Sequence, residues 1–515
     1  MLRTIFTVFV SIMTVHAFAG YTTPNTGVQW NLDSLVAFSG GTLTGTFPDY
    51  TMTDTITIAA NDRLTILPGS SITVTQGAGK GFTVFGVLRA IGTATDSIVM
   101  KGSVDSAGWY RGFRFDDTAV DSLCVISYCR IMNAVDAVYC FNANPTISHS
   151  LFTKNSTNAI RCFEASPTIR DCVFEYNRQS AITANVNSSP LIEDNLFRYN
   201  NYQNTGARNA IAIGGQGTNN PVIRGNEIYN GSYFRAGAIS LVTLTSSDVC
   251  NAIVEHNYLH NNSFGIVVQG LSAGGTLRPL IRYNRIENNR INPDPLVSGS
   301  GITVQTGGPS NSPIITGNIL KNNYWGITIV SSAGLNNSPK PVVGDLSNAD
   351  TTDDGKNRFD NNNNGGTIYQ LYNNGTQDIA AQNNYWGSND SLVIESWIYH
   401  RPDSAAFGTV FYSPFLQLTS VNPEPTVPEA FVLHQNYPNP FNPTTTISYQ
   451  LPTGGHVTLK VFDVLGREVA TLADEVQVPG FKSVKFNADG FASGVYMYRL
   501  QAGDLSATKK ILLMR

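Results

Sequence analysis

The chain has 515 residues, 42% of them hydrophobic and only 14% charged, enough for one large domain with an ample core and a second, smaller one. Its formal net charge of −4 gives no electrostatic reason to expect nucleic acid or an anionic membrane as partner. Six cysteines in so long a chain, none in a C-x-x-C pair, do not make a disulfide scaffold.

Residues 1–19 read as a secretory signal: Arg3 supplies the positive start, Ile5 to Val15 the apolar run, and Ala17-Phe18-Ala19 the small-residue cleavage site. No other stretch approaches the roughly 18 to 20 continuous apolar residues needed to cross a bilayer, so no transmembrane anchor is expected. Residues 20–53 form an N-terminal segment ahead of a repeat.

The repeat is anchored at Pro145, Pro167, Pro190, Pro221, Ala252, Pro279 and Pro313, as in "PTIRDCVFEYN" and "PLIRYNRIENN". Two residues after the anchor stands Ile147, Ile169, Ile192, Ile223, Val254, Ile281 or Ile315. Seven after it stands Phe152, Phe174, Phe197, Ile228, Leu259, Ile286 or Leu320. Each unit closes on a small residue and an isoleucine, from Ala159-Ile160 to Gly326-Ile327. The spacing runs from 22 residues (Pro145 to Pro167) to 34 (Pro279 to Pro313). Three short strands per unit cannot bury their apolar sides alone and must stack on the next unit.

Stacking explains the amides. Five residues after the anchor stand Ser150, Cys172, Asn195, Asn226, Asn257, Asn284 and Asn318, and at a parallel strand spacing of about 4.8 Å each side-chain amide can bond the next. A second polar column runs through Asn155, Asn177, Asn200, Asn262, Asn289 and Asn323, with Gly231 as its exception. Cys140 and Cys162 are expected to stack in the third sheet as buried apolar groups, with a disulfide between them disfavoured by in-register geometry.

This pattern resembles the right-handed parallel β-helix of the pectin-lyase-like family over residues 54–418. "LTILPGSSITV", "GVLRAIGTATDSIVMKG" and "GWYRGFRF" resemble the opening coils of its secreted bacterial members. The resemblance is specific for fold and nearly silent on chemistry.

Candidate sites follow from the columns. Arg170, Glu193, Arg224, Glu255 and Arg282 alternate in sign on the outward side of the first strand; they read as a solvated charge ladder or as ligand-binding residues. The resemblance implies a cleft along such a sheet in members acting on acidic polysaccharide, where Arg224 would be the base. A lyase of that kind needs clustered acids for calcium, whereas here acids alternate with arginines. Asp171 and Asp194 stack four residues after the anchor and are the candidates for an acid–base pair, with corner hydrogen bonding as the alternative. Asp350, Asp353, Asp354 and Asp360, in "DLSNADTTDDGKNRFDNNNN", are calcium candidates; no other cofactor is expected. "NNYWG" occurs at residues 322–326 and 383–387, at two different phases of the repeat. That favours a construction element over a duplicated site, with Tyr324 and Trp325 as the ring candidates for a glycan. The outward column Leu191, Val222, Ile253, Leu280 and Ile314 turns aliphatic as the loop before it lengthens, so the longer loops are expected to cover it.

Residues 419–430 have the composition of a stiff Pro-rich linker. Beyond them alternation sets in: Ile447, Tyr449 and Leu451 on one strand, Val457, Leu459 and Val461 on the next, as in an antiparallel sandwich. "FVLHQNYPNPFNPTTTISYQLP", "VTLKVFDVLGREVATL" and "FASGVYMYRLQAGDLSATKKILLMR" closely resemble, over residues 431–515, the C-terminal sorting domain of type A substrates of the type IX secretion system. The resemblance implies that secretion machinery as partner, and export to the surface of a Gram-negative bacterium or to the medium. The expected protein is all-β: a parallel β-helix solenoid followed by a small sandwich. It serves as a non-catalytic glycan-binding or adhesive scaffold; the alternatives are a lyase or hydrolase of acidic polysaccharide and a purely structural surface protein.

Overall fold

The computed structural model describes residues 20–204, 208–231, 233–292, 299–331, 338–417, 431–436, 439–452, 454–477, 480–503 and 505–514. The expected signal sequence and the expected linker lie outside the described residues. Two compact units result, Met1–Gln417 and Leu418–Arg515.

The first unit is a right-handed parallel β-helix. Among the described residues its coils stack into three sheets of 11, 13 and 14 strands, here the first, second and third in the order each coil visits them. One coil shows the plan: Thr168–Arg170, then Val173–Glu175, then Ile182–Asn185. Pairing is in register, so Ile147, Ile169, Ile192, Ile223, Val254, Ile281 and Ile315 form one continuous internal row. All are fully buried, as are the row from Phe152 to Leu320 in the second sheet and that from Ile160 to Ile327 in the third. Register is this strict because a slip by one residue would turn every apolar side chain outward.

The corners are built from two adjacent positions. The residue before each first-corner ladder position is left-handed: His149, Asp171, Asp194, His256 and Tyr283 have φ of 49 to 55°, and Gly225 and Gly317 of 64 to 65°. Left-handed backbone is costly for most side chains, and here the turn it makes aims the following amide into the solenoid. The backbone N–H and Nδ2 of Asn195 both donate to Oδ1 of Asn226, each at 3.0 Å. The ladder continues through Asn257, Asn284 and Asn318 and, beyond the expected members, to Asn357 and Asn384.

The second ladder has no gap at Gly231. Asn230, one position earlier, accepts from the backbone N–H of Asn200 and donates Nδ2 to Asn262. This coil lacks the left-handed residue that precedes the other amides and puts it afterwards, at Gly231 (φ 64°).

The solenoid also reaches upstream of residue 54, which corrects the expected boundary. Gly20–Thr22 pairs in parallel with Thr55–Ile58, and Asp49–Met52 with Ser71–Val74. The inserted helix Leu32–Phe38, opened by an Asn31–Ser34 capping box, and the hairpin Leu43–Thr46 with Asp49–Met52 hide this coil's period. Cys140 lies in register on Cys162; both are buried and free, as are the other four cysteines. The longer loops do not cover the aliphatic column: Leu191, Val222, Ile253, Leu280 and Ile314 stay half-buried, stacked on one another. Two of these loops instead make their own small ladder, Val249–Cys250 with Thr276–Leu277.

The second unit is an antiparallel sandwich of a three-stranded and a four-stranded sheet among the described residues. Ile447, Tyr449, Leu451, Val457, Leu459 and Val461 all face its core, with Tyr498, Leu500 and Ile511. The Tyr498 hydroxyl donates to the His434 carbonyl at 2.7 Å and accepts the Asn436 N–H at 2.8 Å, tying the incoming segment to the sheet.

Candidate functional site

The outward charge column is in register, Arg170 through Arg282. Ion pairs form within couples: Arg224 with Glu193 at 2.7 Å and Arg282 with Glu255 at 2.8 Å. Arg170 instead reaches its chain neighbour Asp171 at 3.9 Å. The hydrogen bonds that Arg224 donates to Glu193 hold its guanidinium above the usual range, away from the behaviour of a base. Half-exposed pairs of this kind contribute little: Arg224→Ala should cost no more than about 1 kcal/mol, and less still in molar salt, as read from denaturant midpoints at both ionic strengths.

Asp171 and Asp194 occupy left-handed corner positions, with φ of 53 and 54°. Asp171 lies 3.7 Å from His149, while Asp194 folds over Gly225, where an added Cβ would meet its Oδ1 at 2.3 Å. Both belong to the column that turns the chain.

The four calcium candidates do not converge. Asp350 accepts the N–H and hydroxyl of Thr352 and caps a short turn. Asp353 is buried, accepts from Asn348 at 3.1 Å, and burial pushes its carboxyl up. The Asp354 carbonyl accepts from Asn383. Asp360 stands apart on the strand Arg358–Asp360 beside Lys321 (3.7 Å) and Arg358 (3.9 Å). Among the described residues no group of three or more His, Cys, Asp or Glu is placed to hold a metal ion.

Both NNYWG copies are corners. Asn322 and Asn383 are left-handed (φ 54 and 58°) and Asn323 and Asn384 are ladder amides, one in each ladder. Both tryptophans are buried, Trp386 in the solenoid core and Trp325 under Tyr369 and Tyr372. Trp325 is buried, stacked on Tyr372 at 4.5 Å, and Trp386 lies flat on Phe359 at 4.6 Å. A ring that stacks on a sugar needs a free face, so Trp325 is withdrawn from the ligand-binding candidates; Tyr324 is half-buried, with Arg290 over its ring.

The structure brings together a different set of rings. Tyr176, Tyr202 and Tyr233 line an open cleft of about 450 Å³ with Asp105, Ser106, Ala107 and Lys154. Tyr176 occupies the left-handed position of the second corner and stacks on Tyr199 at 5.3 Å. Its ring is 42% exposed and that of Tyr202 38%. Burial, with smaller contributions from the neighbouring Tyr176, Tyr202 and Tyr199, pushes the Tyr233 hydroxyl up. Lys154 is ion-paired to Asp105, whose other oxygen accepts from Asn133 at 3.0 Å. These two bonds hold the Asp105 carboxyl below its usual range. The cleft thus offers flat rings, hydroxyl rims and a closed ion pair, a surface suited to an amphipathic, uncharged ligand. Tyr176 sits in the repeat, but Tyr202 and Tyr233 lie in loops of unequal length, so no spacing links them; the clustering of tyrosine in "EYN", "RYNNY" and "IYNGSYF" is the signal that was there to find.

Residues 111–278 match the family described as right handed beta helix region, and residues 435–514 the family described as secretion system C-terminal sorting domain. Among solved structures, the chain is similar to the enzymatically active domain of tailspike protein 2 of bacteriophage CBA120, at 11% identity over 90% of this chain and 71% of that one, with a TM-score of 0.30. It is similar also to XylC in complex with xylose, at 12% identity over 70% of this chain and 68% of that one, with a TM-score of 0.26. No curated protein matches the sequence. Among the described residues no helix is long and apolar enough to cross a membrane. The chain carries a right-handed β-helix and a C-terminal secretion-system sorting domain, which implies handling by type IX secretion and a secreted or cell-surface protein.

Proposed function

We propose that the protein acts outside a Gram-negative cell as a non-catalytic scaffold that binds a neutral glycan in the tyrosine cleft. The observation that carries this reading is the cleft itself, with two partly exposed tyrosine rings, a third beside them, and an ion pair that leaves it without net charge. Sugar rings present flat C–H faces edged by hydroxyls, which match tyrosine in both respects. Tyr176 is held by a solenoid corner, so this ring loses little conformational entropy on binding.

A glycan array probed with the exported chain tests this, followed by reducing-end and unsaturated-product assays on every glycan retained. Saturable binding of a neutral glycan without product is the expected result. Released sugar or an unsaturated product would make the protein an enzyme. No saturable binding would leave a structural surface protein.

A further inference from the structure

In the sorting domain one turn carries side chains that its geometry does not ask for. Strands Gly455–Phe462 and Glu468–Gln477 are joined through Asp463, Val464, Leu465, Gly466 and Arg467. The Gly466 N–H donates to the Asp463 carbonyl at 3.0 Å and the Asp463 N–H to the Arg467 carbonyl at 2.9 Å, with Gly466 left-handed at φ 78°. This is a type I turn closed by a left-handed glycine, a common hairpin connection. Its two central positions face water and ordinarily take proline or small polar residues. Here they are Val464, 68% exposed, and Leu465, 74% exposed.

The tip is held firmly. Oδ1 of Asp463 accepts the N–H of Leu465 at 2.9 Å and of Arg467 at 3.0 Å, and Oδ2 accepts from Arg467 Nε at 2.7 Å. The core of the domain is complete without either aliphatic residue. A residue choice that breaks local turn chemistry and contributes nothing to packing is the kind that marks a functional position. Two side chains cannot supply the roughly 1,200 Å² that a stable homodimer buries, which argues against a second copy and for a brief encounter. The domain that carries them exists to be read by an export apparatus.

We propose that the Val464–Leu465 tip is the element that the type IX apparatus grips, seated in an apolar pocket of one of its components. Asp463 is the positioning residue that presents the tip already ordered, so that a small contact suffices for recognition.

The test compares full-length chains in a type IX-competent host, reading the fraction at the surface and in the medium against the fraction retained in the periplasm. Val464→Ser/Leu465→Ser should lower export at least tenfold, with full-length chain accumulating in the periplasm and thermal unfolding of the purified protein unchanged. Val464→Ile/Leu465→Met, which keeps the tip apolar, should export normally. Should the serine pair fold poorly, Val464→Asn/Leu465→Asp, better suited to the turn, takes its place with the same expected loss. Normal export of a folded polar variant, or an equal loss in the apolar one, overturns the proposal. So does micromolar dimerisation of the wild-type chain that the serine pair abolishes, because the tip would then be a self-association contact.

Discussion

Replacing Asn257 by leucine should remove about 2–4 kcal/mol from the β-helix, and the damage should spread to the coils on either side. Oδ1 of Asn257 accepts the backbone N–H of Asn226 at 3.0 Å and its Nδ2 at 2.9 Å. Its own Nδ2 donates to the carbonyls of Ile223 (2.9 Å) and Glu255 (3.0 Å) and to Oδ1 of Asn284 (2.9 Å). Leucine has the same branching and heavy-atom count, is somewhat larger, and has none of these groups. A buried polar group left without a partner costs about 1–3 kcal/mol, and the Asn226 N–H is orphaned in this way, while the other bonds of the amide are lost at about 1 kcal/mol together. Because stability in a solenoid is a sum over coils and the contacts between neighbours, the loss belongs to the interfaces as much as to the mutated coil. Hydrogen exchange reads this directly: the Asn226 amide, one coil away, should lose protection along with residue 257 itself. A loss under 1 kcal/mol, or one confined to the mutated coil, would mean that the ladder is not a continuous hydrogen-bonded element.

The second large effect is expected at Phe174. This ring is fully buried between Phe152 (5.1 Å, 9°) and Phe197 (4.7 Å, 10°). Phe174→Ala opens a cavity in the stack and should cost about 3–5 kcal/mol, whereas Phe174→Leu should cost about 1 kcal/mol. Leucine is already accepted in the same row at Leu259 and Leu320. Denaturant unfolding of the two variants, with hydrogen exchange across Leu196–Arg198, provides the comparison. Similar costs for alanine and leucine would show that the row tolerates a void, which a packed solenoid core does not.

The internal rows were legible in the sequence because a parallel, in-register stack puts the same demand on every coil, so Ile192, Ile223 and Ile281 repeat as a set. Where a coil carries an insertion the pattern disappears. Asn357 belongs to the first ladder, yet residues 345–356 separate it from the strand bridge at Val342, and the five-residue interval is lost. The helix Leu32–Phe38 hides the first coil in the same way. At Asn230 the cause is smaller: the left-handed residue falls after the ladder amide in place of before it.

Function was less legible than fold. Alternation of Arg170, Glu193, Arg224, Glu255 and Arg282 was visible, but the couples they form depend on side-chain reach, which spacing does not encode. The aspartates at 171 and 194 looked chemical because the sequence does not show φ; in the folded chain they are the residues that turn a corner. The NNYWG peptides were separable from a binding motif by phase alone, and burial of Trp325 and Trp386 agrees with that. The tyrosine cleft depends on where loops of unequal length come to rest, information that no column carries.

Titration calorimetry of the exported chain asks directly whether the tyrosine cleft binds neutral glycans, as proposed. Cellohexaose, xylohexaose and mannohexaose serve as neutral probes beside polygalacturonate, with the wild-type protein compared against Tyr176→Ala/Tyr202→Ala. Saturable binding of a neutral oligosaccharide that weakens at least tenfold in the double variant, with polygalacturonate bound by neither protein, is the predicted result. Equal affinity in the two proteins, or preference for polygalacturonate, would contradict it.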